Sequence, residues 1–188
     1  MSVRRSLRVN PTANYMTIFK FLVTNKLAEE YSGDRGHGRR TWQVNMSKLR
    51  KNRKGMYYCK HFLGPLLPLH LKRQGLKLKS IELQAQAPGS RAQPFHQDHP
   101  DAGDDYYTII ISCTDHKSTE YPFKPNDTAV KSTVSGWSTQ IIQQQGRGAV
   151  SGHSGSEVHR GPANDSDSWR FFIALVFAKD GVVDPNEG

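Results

Sequence analysis

The segment Trp169-Arg-Phe-Phe-Ile-Ala-Leu-Val-Phe-Ala178 is the most hydrophobic run of the chain and the clearest indication of its fold. Its large apolar residues occupy both sets of alternating positions, so a β-strand here would be buried on both faces. Arg170 stands at the start of this strand, where a charged side chain is costly to bury without a partner. The segment therefore predicts a β core with one arginine at its edge.

Further strands are predicted upstream of this segment. Residues 76–87 alternate between apolar and polar, with a phase slip at Lys79-Ser80 that indicates a bulge. Residues 106–113 are dense in β-branched and aromatic side chains. The polar segment 114–136 is a candidate lid, because loops of that length are usually functional or disordered. Shorter strand candidates are residues 139–144 and 148–150.

The chain before residue 76 is predicted to be helical. Residues 14–31 carry apolar side chains at intervals of three and four, which predicts an amphipathic helix, and residues 57–75 predict short helical pieces. Helices followed by strands indicate an α+β protein, mainly β, in which N-terminal helices flank a sandwich or barrel. The predicted regions are a basic helical region packed on the core (1–75), the β core (76–180) and a C-terminal tail (181–188).

Composition bounds the possible classes of protein. The chain has 188 residues, of which 36% are hydrophobic, and its 8 Phe, 7 Tyr and 3 Trp exclude disorder throughout. The formal net charge of +9 favours acidic partners such as nucleic acid, an anionic membrane or a small carboxylate or phosphate. The basic segment 39–54 could contact phosphates, although such a run is often only a solvated surface.

The expected location follows from cysteine content and hydropathy. Two cysteines, Cys59 and Cys113, provide neither a disulfide framework nor a four-thiolate zinc site, and they fit a reducing compartment. The first residues lack the continuous apolar stretch of a secretory signal. No apolar run approaches the roughly 18 residues of a membrane span. We expect a soluble intracellular protein, cytoplasmic or nuclear.

The most informative polar residues are His96, Asp98 and His159. In an extended chain residues i and i+2 project from the same face, so His96 and Asp98 could offer a nitrogen and an oxygen to one metal ion. His159 follows Asp98 by 61 residues, with strand-like segments between them, and could return beside the pair. Two histidines and one carboxylate leave three adjacent coordination positions open, as in the facial triad of non-haem iron oxygenases.

Arg170 follows His159 by eleven residues. Its guanidinium could hold a carboxylate with two parallel hydrogen bonds, so a dicarboxylate could chelate the metal at one end and meet Arg170 at the other. Ser168, two residues earlier, could add a hydroxyl donor from the same strand face. His153 is an alternative third metal ligand, but its flanking Ser-Gly pairs suggest an exposed turn.

The order His96-Gln-Asp98, distal His159 and Arg170 resembles the 2-oxoglutarate/Fe(II)-dependent oxygenase superfamily over residues 76–178. Pro88-Gly89 and the segment His159-Arg-Gly-Pro-Ala-Asn-Asp-Ser-Asp-Ser-Trp-Arg170 look most like its phytanoyl-CoA hydroxylase-like branch. The resemblance implies a double-stranded β-helix (jelly-roll or cupin-like) core, His96, Asp98 and His159 as Fe(II) ligands, and Arg170 on the distal carboxylate of 2-oxoglutarate. In such a core, hydroxyls near the start of the strand at 106–113, Tyr107 and Thr108, could also bind a carboxylate oxygen.

The implied activity is that of a dioxygenase. It would use O2 to hydroxylate or oxidatively demethylate a substrate while converting 2-oxoglutarate to succinate and CO2. Arg170 in place of Lys argues against prolyl hydroxylases, and the strand after it lacks the Asn and Arg of nucleic-acid demethylases. Asp98 in place of Glu argues against histone demethylases. The substrate class (small molecule, protein or nucleic acid) and the oligomeric state stay open.

Two other classes of function remain alternatives. A cupin-type metal-binding protein would use the same triad without 2-oxoglutarate chemistry, and it would have no need for a carboxylate anchor at Arg170. A module that binds nucleic acid or another polyanion through segment 39–54 could retain the fold with a decayed metal site. An intact triad followed by Arg170 argues against such decay.

Overall fold

Eight strands and four α-helices make up the described parts of the chain. The computed structural model describes residues 14–31, 38–115, 119–123, 138–140 and 150–182. The strands are β1 (Ala28–Glu30), β2 (Arg39–Val44), β3 (Lys77–Gln86), β4 (Tyr106–Ser112), β5 (Tyr121–Phe123), β6 (Ser138–Gln140), β7 (Val150–Ser154) and β8 (Arg170–Ala178). The α-helices are α1 (Tyr15–Thr24), α2 (Met46–Lys51), α3 (Arg53–Tyr58) and α4 (Leu69–Arg73), with shorter turns at Cys59–Leu63, Gly64–Leu66 and Gly103–Asp105.

Six strands form one antiparallel sheet in the order β1-β2-β3-β8-β4-β7. The hydrophobic strand β8 lies between β3 and β4, so both of its edges are paired. The register between β3 and β8 shifts between Leu78 and Ser80, at the phase slip in the sequence. The strand predictions for residues 76–87, 106–113 and 169–178 are confirmed, and so is the bulge.

The two faces of β8 are buried against different surroundings. Ile173 and Leu175 are fully buried in the hydrophobic core, to which α1 contributes Ile18. Phe172 and Val176 point to the opposite face and line a cavity. Burying a side chain of this size contributes about 1.5–3 kcal/mol, so β8 stabilises both sides of the sheet. One face is thus a supporting core and the other faces the cavity.

A second group of extended segments lies across the cavity from the sheet. His96 and His159 form an isolated antiparallel bridge, and so do Glu120 and Arg160. The Arg160 Nε also donates to Glu120 Oε2 at 2.6 Å. Strand β5, which begins just after Glu120, pairs with β6. The described structure is therefore mainly antiparallel β with a few helices, consistent with a cupin-like fold.

The first helix is shorter than predicted. Asn14 caps it by accepting a hydrogen bond from Thr17 N at 3.2 Å, but α1 ends at Thr24 rather than near residue 31. Lys26 has a positive φ of 54°, which breaks the helix, and Ala28–Glu30 then forms β1 against β2. Strand pairing overrides the helical periodicity here, because hydrogen bonds to β2 are available only in the folded chain.

The region 1–75 contributes strands as well as helices. The basic segment 39–54 includes β2, which pairs with β3 from Arg39↔Gln86 to Gln43↔Glu82. The short helical pieces predicted between 57 and 75 are present. The sheet therefore continues across residue 75, and β2 brings side chains of the first region to the cavity.

Several predictions fall partly outside the described residues. Of the candidate strand 139–144, residues 139 and 140 are in β6 and the rest lies outside. Most of the candidate lid 114–136 also lies outside, apart from residues 114–115 and 119–123, and so do residues 183–188 of the tail. None of the helices in the described parts of the chain has the length and apolar character that a bilayer crossing requires.

Candidate metal centre

The structure brings His96, Asp98 and His159 together. One ligand atom from each lies within 4.8 Å of the others. The bridge between His96 and His159 is a reciprocal pair of backbone hydrogen bonds, each of 2.9 Å, which places the two imidazoles side by side. Asp98 follows two residues after His96. The local reason for the cluster is therefore the pairing of two extended segments far apart in sequence.

The ring nitrogens of the two histidines have different partners. His96 Nδ1 lies 3.0 Å from Pro94 O, and His159 Nδ1 lies 2.9 Å from Glu157 O. A carbonyl oxygen only accepts, so each Nδ1 carries the proton and each Nε2 keeps a free lone pair. His96 Nε2 and His159 Nε2 lie 3.7 and 3.4 Å from Asp98 Oδ1. Two neutral nitrogens and one carboxylate oxygen form a donor set that fits a first-row divalent metal.

The other carboxylate oxygen of Asp98 faces the main sheet. Thr108 Oγ1 donates to Asp98 Oδ2 at 2.8 Å, and His153 Nε2 lies 3.2 Å from the same oxygen. Tyr121 Oη lies 3.2 Å from His153 Nδ1. The two oxygens of Asp98 therefore have separate surroundings, one among the triad histidines and the other on β4 and β7.

His153 is buried, and the prediction of an exposed turn around it is wrong. It lies on β7, is 1% exposed, and its ring centroid is 3.8 Å from that of His159. The flanking Gly152 suggested a turn, but a Cβ there would lie 2.6 Å from Tyr107 Oη. The glycine serves close packing between neighbouring strands instead.

Electrostatics favour a charged Asp98. Burial alone would raise the pKa of the Asp98 carboxyl, but the adjacent side chains of His153 and His159 hold it well below its ordinary value. Burial, followed by the charge of His159, lowers the pKa of His153 to about 4. Burial also lowers the pKa of His96, whereas Asp98 outweighs burial and raises the pKa of His159. The site thus holds one carboxylate that stays ionised at neutral pH and attracts a cation.

The cavity beside the triad is lined by both layers. The sheet contributes inward-facing residues of β3, β4 and β8 together with Arg39 of β2, and the opposite layer contributes Thr119 and Gly161. Apolar side chains line one part of the wall, and amides and the Glu82 carboxylate line another. The lining residues from β3, β4 and β8 are Glu82, Gln84, Gln86, Tyr106, Thr108, Ile110, Phe172, Ala174 and Val176.

Arg170 is buried close to this cavity. It is 1% exposed, and its Nη1 donates to Pro162 O at 3.3 Å and to Ala163 O at 3.0 Å. Burial, and then the charge of Arg39, lower the pKa of Arg170 to about 10, so the guanidinium remains charged at neutral pH. The segment that follows His159 therefore holds the arginine whose position the sequence singled out.

Arg39 is a cavity residue that sequence reasoning missed. It is 6% exposed, lines the cavity, and its Nη2 donates to Pro162 O at 3.5 Å. A Cβ on Gly161 would lie 2.6 Å from both terminal nitrogens of Arg39, so only glycine leaves room for the guanidinium. Strand pairing places Arg39, Gln86 and Arg170 side by side. Predicting from the sequence that Arg39 lines the cavity would have required recognising β2 as a strand.

Two of the predicted cosubstrate contacts lie elsewhere. Tyr107 faces the hydrophobic core and not the cavity, because the inward-facing positions of β4 are Tyr106, Thr108 and Ile110. Burial raises the pKa of Tyr107 to about 12. Ser168 is exposed before β8 begins, with its Oγ 3.5 Å from Ser166 Oγ. Of the predicted hydroxyls, Thr108 alone reaches the triad, and it contacts Asp98.

The fold and the site together define a class, an antiparallel β protein whose cavity carries a His-Asp-His cluster. No family model matches the chain, and no curated protein matches its sequence. Solved structures do share the fold. AviO1 from Streptomyces viridochromogenes Tue57 superposes with a TM-score of 0.62 at 16% identity, covering 96% of this chain and 90% of that chain.

Two further neighbours are described as non-heme enzymes or as metal complexes. The alpha ketoglutarate dependent carbocyclase SnoK from nogalamycin biosynthesis has a TM-score of 0.62 at 14% identity, covering 92% of this chain and 78% of that chain. The epimerase SnoN in complex with Fe3+, alpha ketoglutarate and nogalamycin RO has a TM-score of 0.58 at 14% identity, covering 93% and 80%. At these identities the likeness shows the fold.

Proposed function

We propose that the protein is an Fe(II)- and 2-oxoglutarate-dependent dioxygenase. It would use O2 to hydroxylate, or oxidatively demethylate, a substrate while 2-oxoglutarate is converted to succinate and CO2. The observation that carries the proposal is the convergence of His96 Nε2, Asp98 Oδ1 and His159 Nε2 at one cavity. The neighbours SnoK and SnoN, whose names specify alpha ketoglutarate, support it through the shared fold.

Strand pairing supports a double-stranded β-helix. One layer contains β3-β8-β4-β7, and the segments around His96, His159 and Glu120 together with β5 and β6 would form the other. In this interpretation β1 and β2 extend the first layer. The cavity between two such layers is where a jelly-roll or cupin-like fold holds its ligands.

The phytanoyl-CoA hydroxylase-like branch is proposed from the segment between His159 and Arg170. Asn164 organises this segment, because its Nδ2 donates to Gln86 O, Ala87 O and Ser168 O. These bonds tie the segment to the end of β3 and place Arg170 at the start of β8. The segment that resembles the branch in sequence therefore also positions the arginine.

Each part of the cavity would have its own task. His96, Asp98 and His159 would hold Fe(II), which supplies the activation of O2 when it is bound. Arg170, with Arg39 beside it, would attract the distal carboxylate of 2-oxoglutarate, since buried guanidinium groups bind carboxylates strongly. The apolar wall formed by residues such as Phe172 and Val176 would limit the access of water.

The experiment that tests the function is an anaerobic titration of the metal-free protein with Fe(II) and 2-oxoglutarate. We expect a metal-to-ligand charge-transfer absorption band that requires both components and disappears in His96→Ala. His70→Ala, an exposed histidine on α4, is the matched control and should keep the band. Metal binding without any response to 2-oxoglutarate would favour a cupin-type protein. The absence of metal binding would contradict the proposed function.

We also propose that the protein contacts a polyanion through its basic surface, which includes the segment 39–54. Residues 38–81 contain twelve Lys and Arg and no Asp or Glu, although the whole chain has a net charge of only +9. Arg50, Lys51, Arg53 and Lys54 are exposed on or beside α2 and α3. Nucleic acid is the partner that such a field favours, through its phosphates.

A further inference from the structure

We propose that His153 is a positioning residue that restricts Asp98 to binding the metal through one oxygen. This inference rests on the proposed metal centre. His153 would hold Asp98 Oδ2 on the main sheet, so that only Oδ1 is offered to the metal between His96 and His159. The residue would act through Asp98 and would not touch the metal.

The first support is the separation of the two carboxylate oxygens. Asp98 Oδ1 lies 3.4 Å from His159 Nε2 and 3.7 Å from His96 Nε2. Asp98 Oδ2 receives the Thr108 hydroxyl at 2.8 Å and faces His153 Nε2 at 3.2 Å. Because Oδ2 already has two donors, turning it towards a metal would break two hydrogen bonds to a half-buried carboxylate.

The second support is the direction of the hydrogen bonds. A carboxylate only accepts, so His153 Nε2 must carry its proton to bond Asp98 Oδ2. In a neutral ring Nδ1 is then an acceptor, and Tyr121 Oη, 3.2 Å away, is the donor that faces it. Tyr121 thus selects the tautomer of His153. The chain Tyr121 to His153 to Asp98 leaves the proton on the nitrogen that faces the carboxylate.

The fold explains why the Thr108 hydroxyl and the His153 imidazole both reach Asp98 Oδ2. Strands β4 and β7 pair with Thr108 opposite His153, so both side chains stand on the cavity face next to each other. Both are buried, at 4% and 1% exposure, and water therefore competes little for these two donors. The Gly152 backbone lets Tyr107 lie close against β7 on the other face.

The functional consequence concerns the number of open coordination positions. A facial triad that uses one atom from each residue, a nitrogen from each histidine and a single oxygen from the carboxylate, leaves three positions of an octahedron free. A 2-oxo acid needs two of them and O2 needs the third. If Asp98 bound through both oxygens, one of these positions would be lost. Holding Oδ2 on the sheet therefore preserves room for the cosubstrate and O2 together.

The test uses His153→Leu, which removes the donor, and His153→Gln, which offers an amide N–H in its place. We expect His153→Leu to weaken 2-oxoglutarate binding to the Fe(II)-loaded protein about 10-fold or more and to shift the charge-transfer band, since the loss of such an outer partner costs 10–100-fold. His153→Gln should restore most of the affinity and the band position. His61→Leu, at an exposed histidine, is the control.

One milder variant guards against loss of folding, and a pair of variants at His159 tests whether His153 is itself a ligand. Tyr121→Phe removes only the hydroxyl that faces His153 Nδ1 and should shift the band in the same direction as His153→Leu, but less. Unchanged bands and affinities in both His153→Leu and Tyr121→Phe would overturn the inference. Metal retained in His159→Ala and lost in His159→Ala/His153→Leu would also overturn it, by making His153 a ligand. If the wild-type protein itself shows no band, the proposed function fails instead.

Discussion

Two buried arginines from different strands stand at the same end of the cavity. Arg39 on β2 and Arg170 on β8 flank Gln86 on β3, and both donate to the Pro162 carbonyl. The two positive charges repel each other, and the charge of Arg39 contributes to the lowered pKa of Arg170. The charges of Asp165 and Glu120 favour the charged form of Arg170, and an anion bound beside the two arginines would stabilise the pair further.

We therefore predict that Arg170→Ala weakens 2-oxoglutarate binding to the Fe(II)-loaded protein at least about 10-fold, because a hydrogen bond to a charged group is worth about 1.5–3 kcal/mol. The binding of Fe(II) alone should change much less. Affinity for 2-oxobutyrate, which lacks the distal carboxylate, should be nearly the same in wild type and variant. Equal losses for Fe(II), 2-oxoglutarate and 2-oxobutyrate would contradict the carboxylate contact, and Arg170→Lys should recover part of it.

At the scale of the elements, strand pairing determines which side chains enter the cavity. In β4 the even-numbered residues Tyr106, Thr108 and Ile110 face the cavity, so Tyr107 packs against the hydrophobic core on the opposite face of the sheet. In β7 the same alternation turns His153 inward, because it pairs with Thr108. A shift of one residue in either strand would exchange the two sets of side chains.

The close contact between β4 and β7 yields a stability prediction. A Cβ at Gly152 would lie 2.6 Å from Tyr107 Oη and 2.8 Å from Tyr107 Cε1, so Gly152→Ala forces the ring to move. We expect a loss of about 1–3 kcal/mol in the free energy of unfolding, as is typical for overpacked sites. Urea denaturation measures it. Tyr107→Phe in the Gly152→Ala background should recover part of the loss, and equal stability of Gly152→Ala and wild type would contradict the contact.

Over the whole molecule, the candidate site residues and the largest concentration of basic residues lie in different parts of the chain. The triad and Arg170 belong to residues 96–170, whereas residues 38–81 carry twelve basic and no acidic residues. Some exposed charges in this region are paired, such as Lys48 with Glu29 and Arg40 with Glu30. Exposed pairs of this kind contribute little to stability. Because the basic residues of 38–81 outnumber the carboxylates that pair with them, the region keeps a net positive charge that attracts anionic partners over a distance.

We predict that the protein binds duplex DNA with an affinity that falls steeply as salt concentration rises. Each phosphate contact contributes about −0.9 to the slope of log K against log salt concentration. The double variant Arg50→Glu/Arg53→Glu should make that slope less steep by about two. Arg91→Glu, at an exposed position outside the basic surface, is the control and should have a smaller effect. Binding that does not respond to salt, or an unchanged slope in the double variant, would contradict the proposed basic surface.

The local pattern of apolar and polar residues is sufficient to predict the strands that are long and either strongly apolar or regularly alternating. The alternation of residues 76–87 predicted both β3 and its bulge, and the apolar run at 169–178 predicted the central strand. The spacing of His96, Asp98 and His159 predicted the cluster, because i and i+2 share a face wherever the chain is extended. These features depend on neighbours in sequence or on one long-range return of the chain.

Other features depend on which strands pair, and local sequence carries little information about that. Arg39 reaches the cavity only because β2 pairs with β3, and Gly161 leaves room for it only when the two layers face each other. His153 is buried because β7 lies beside β4, although its serine and glycine neighbours suggest a turn. Spacing along the sequence thus indicates the His-Asp-His cluster, whereas backbone hydrogen bonds between distant strands decide which side chains contact that cluster.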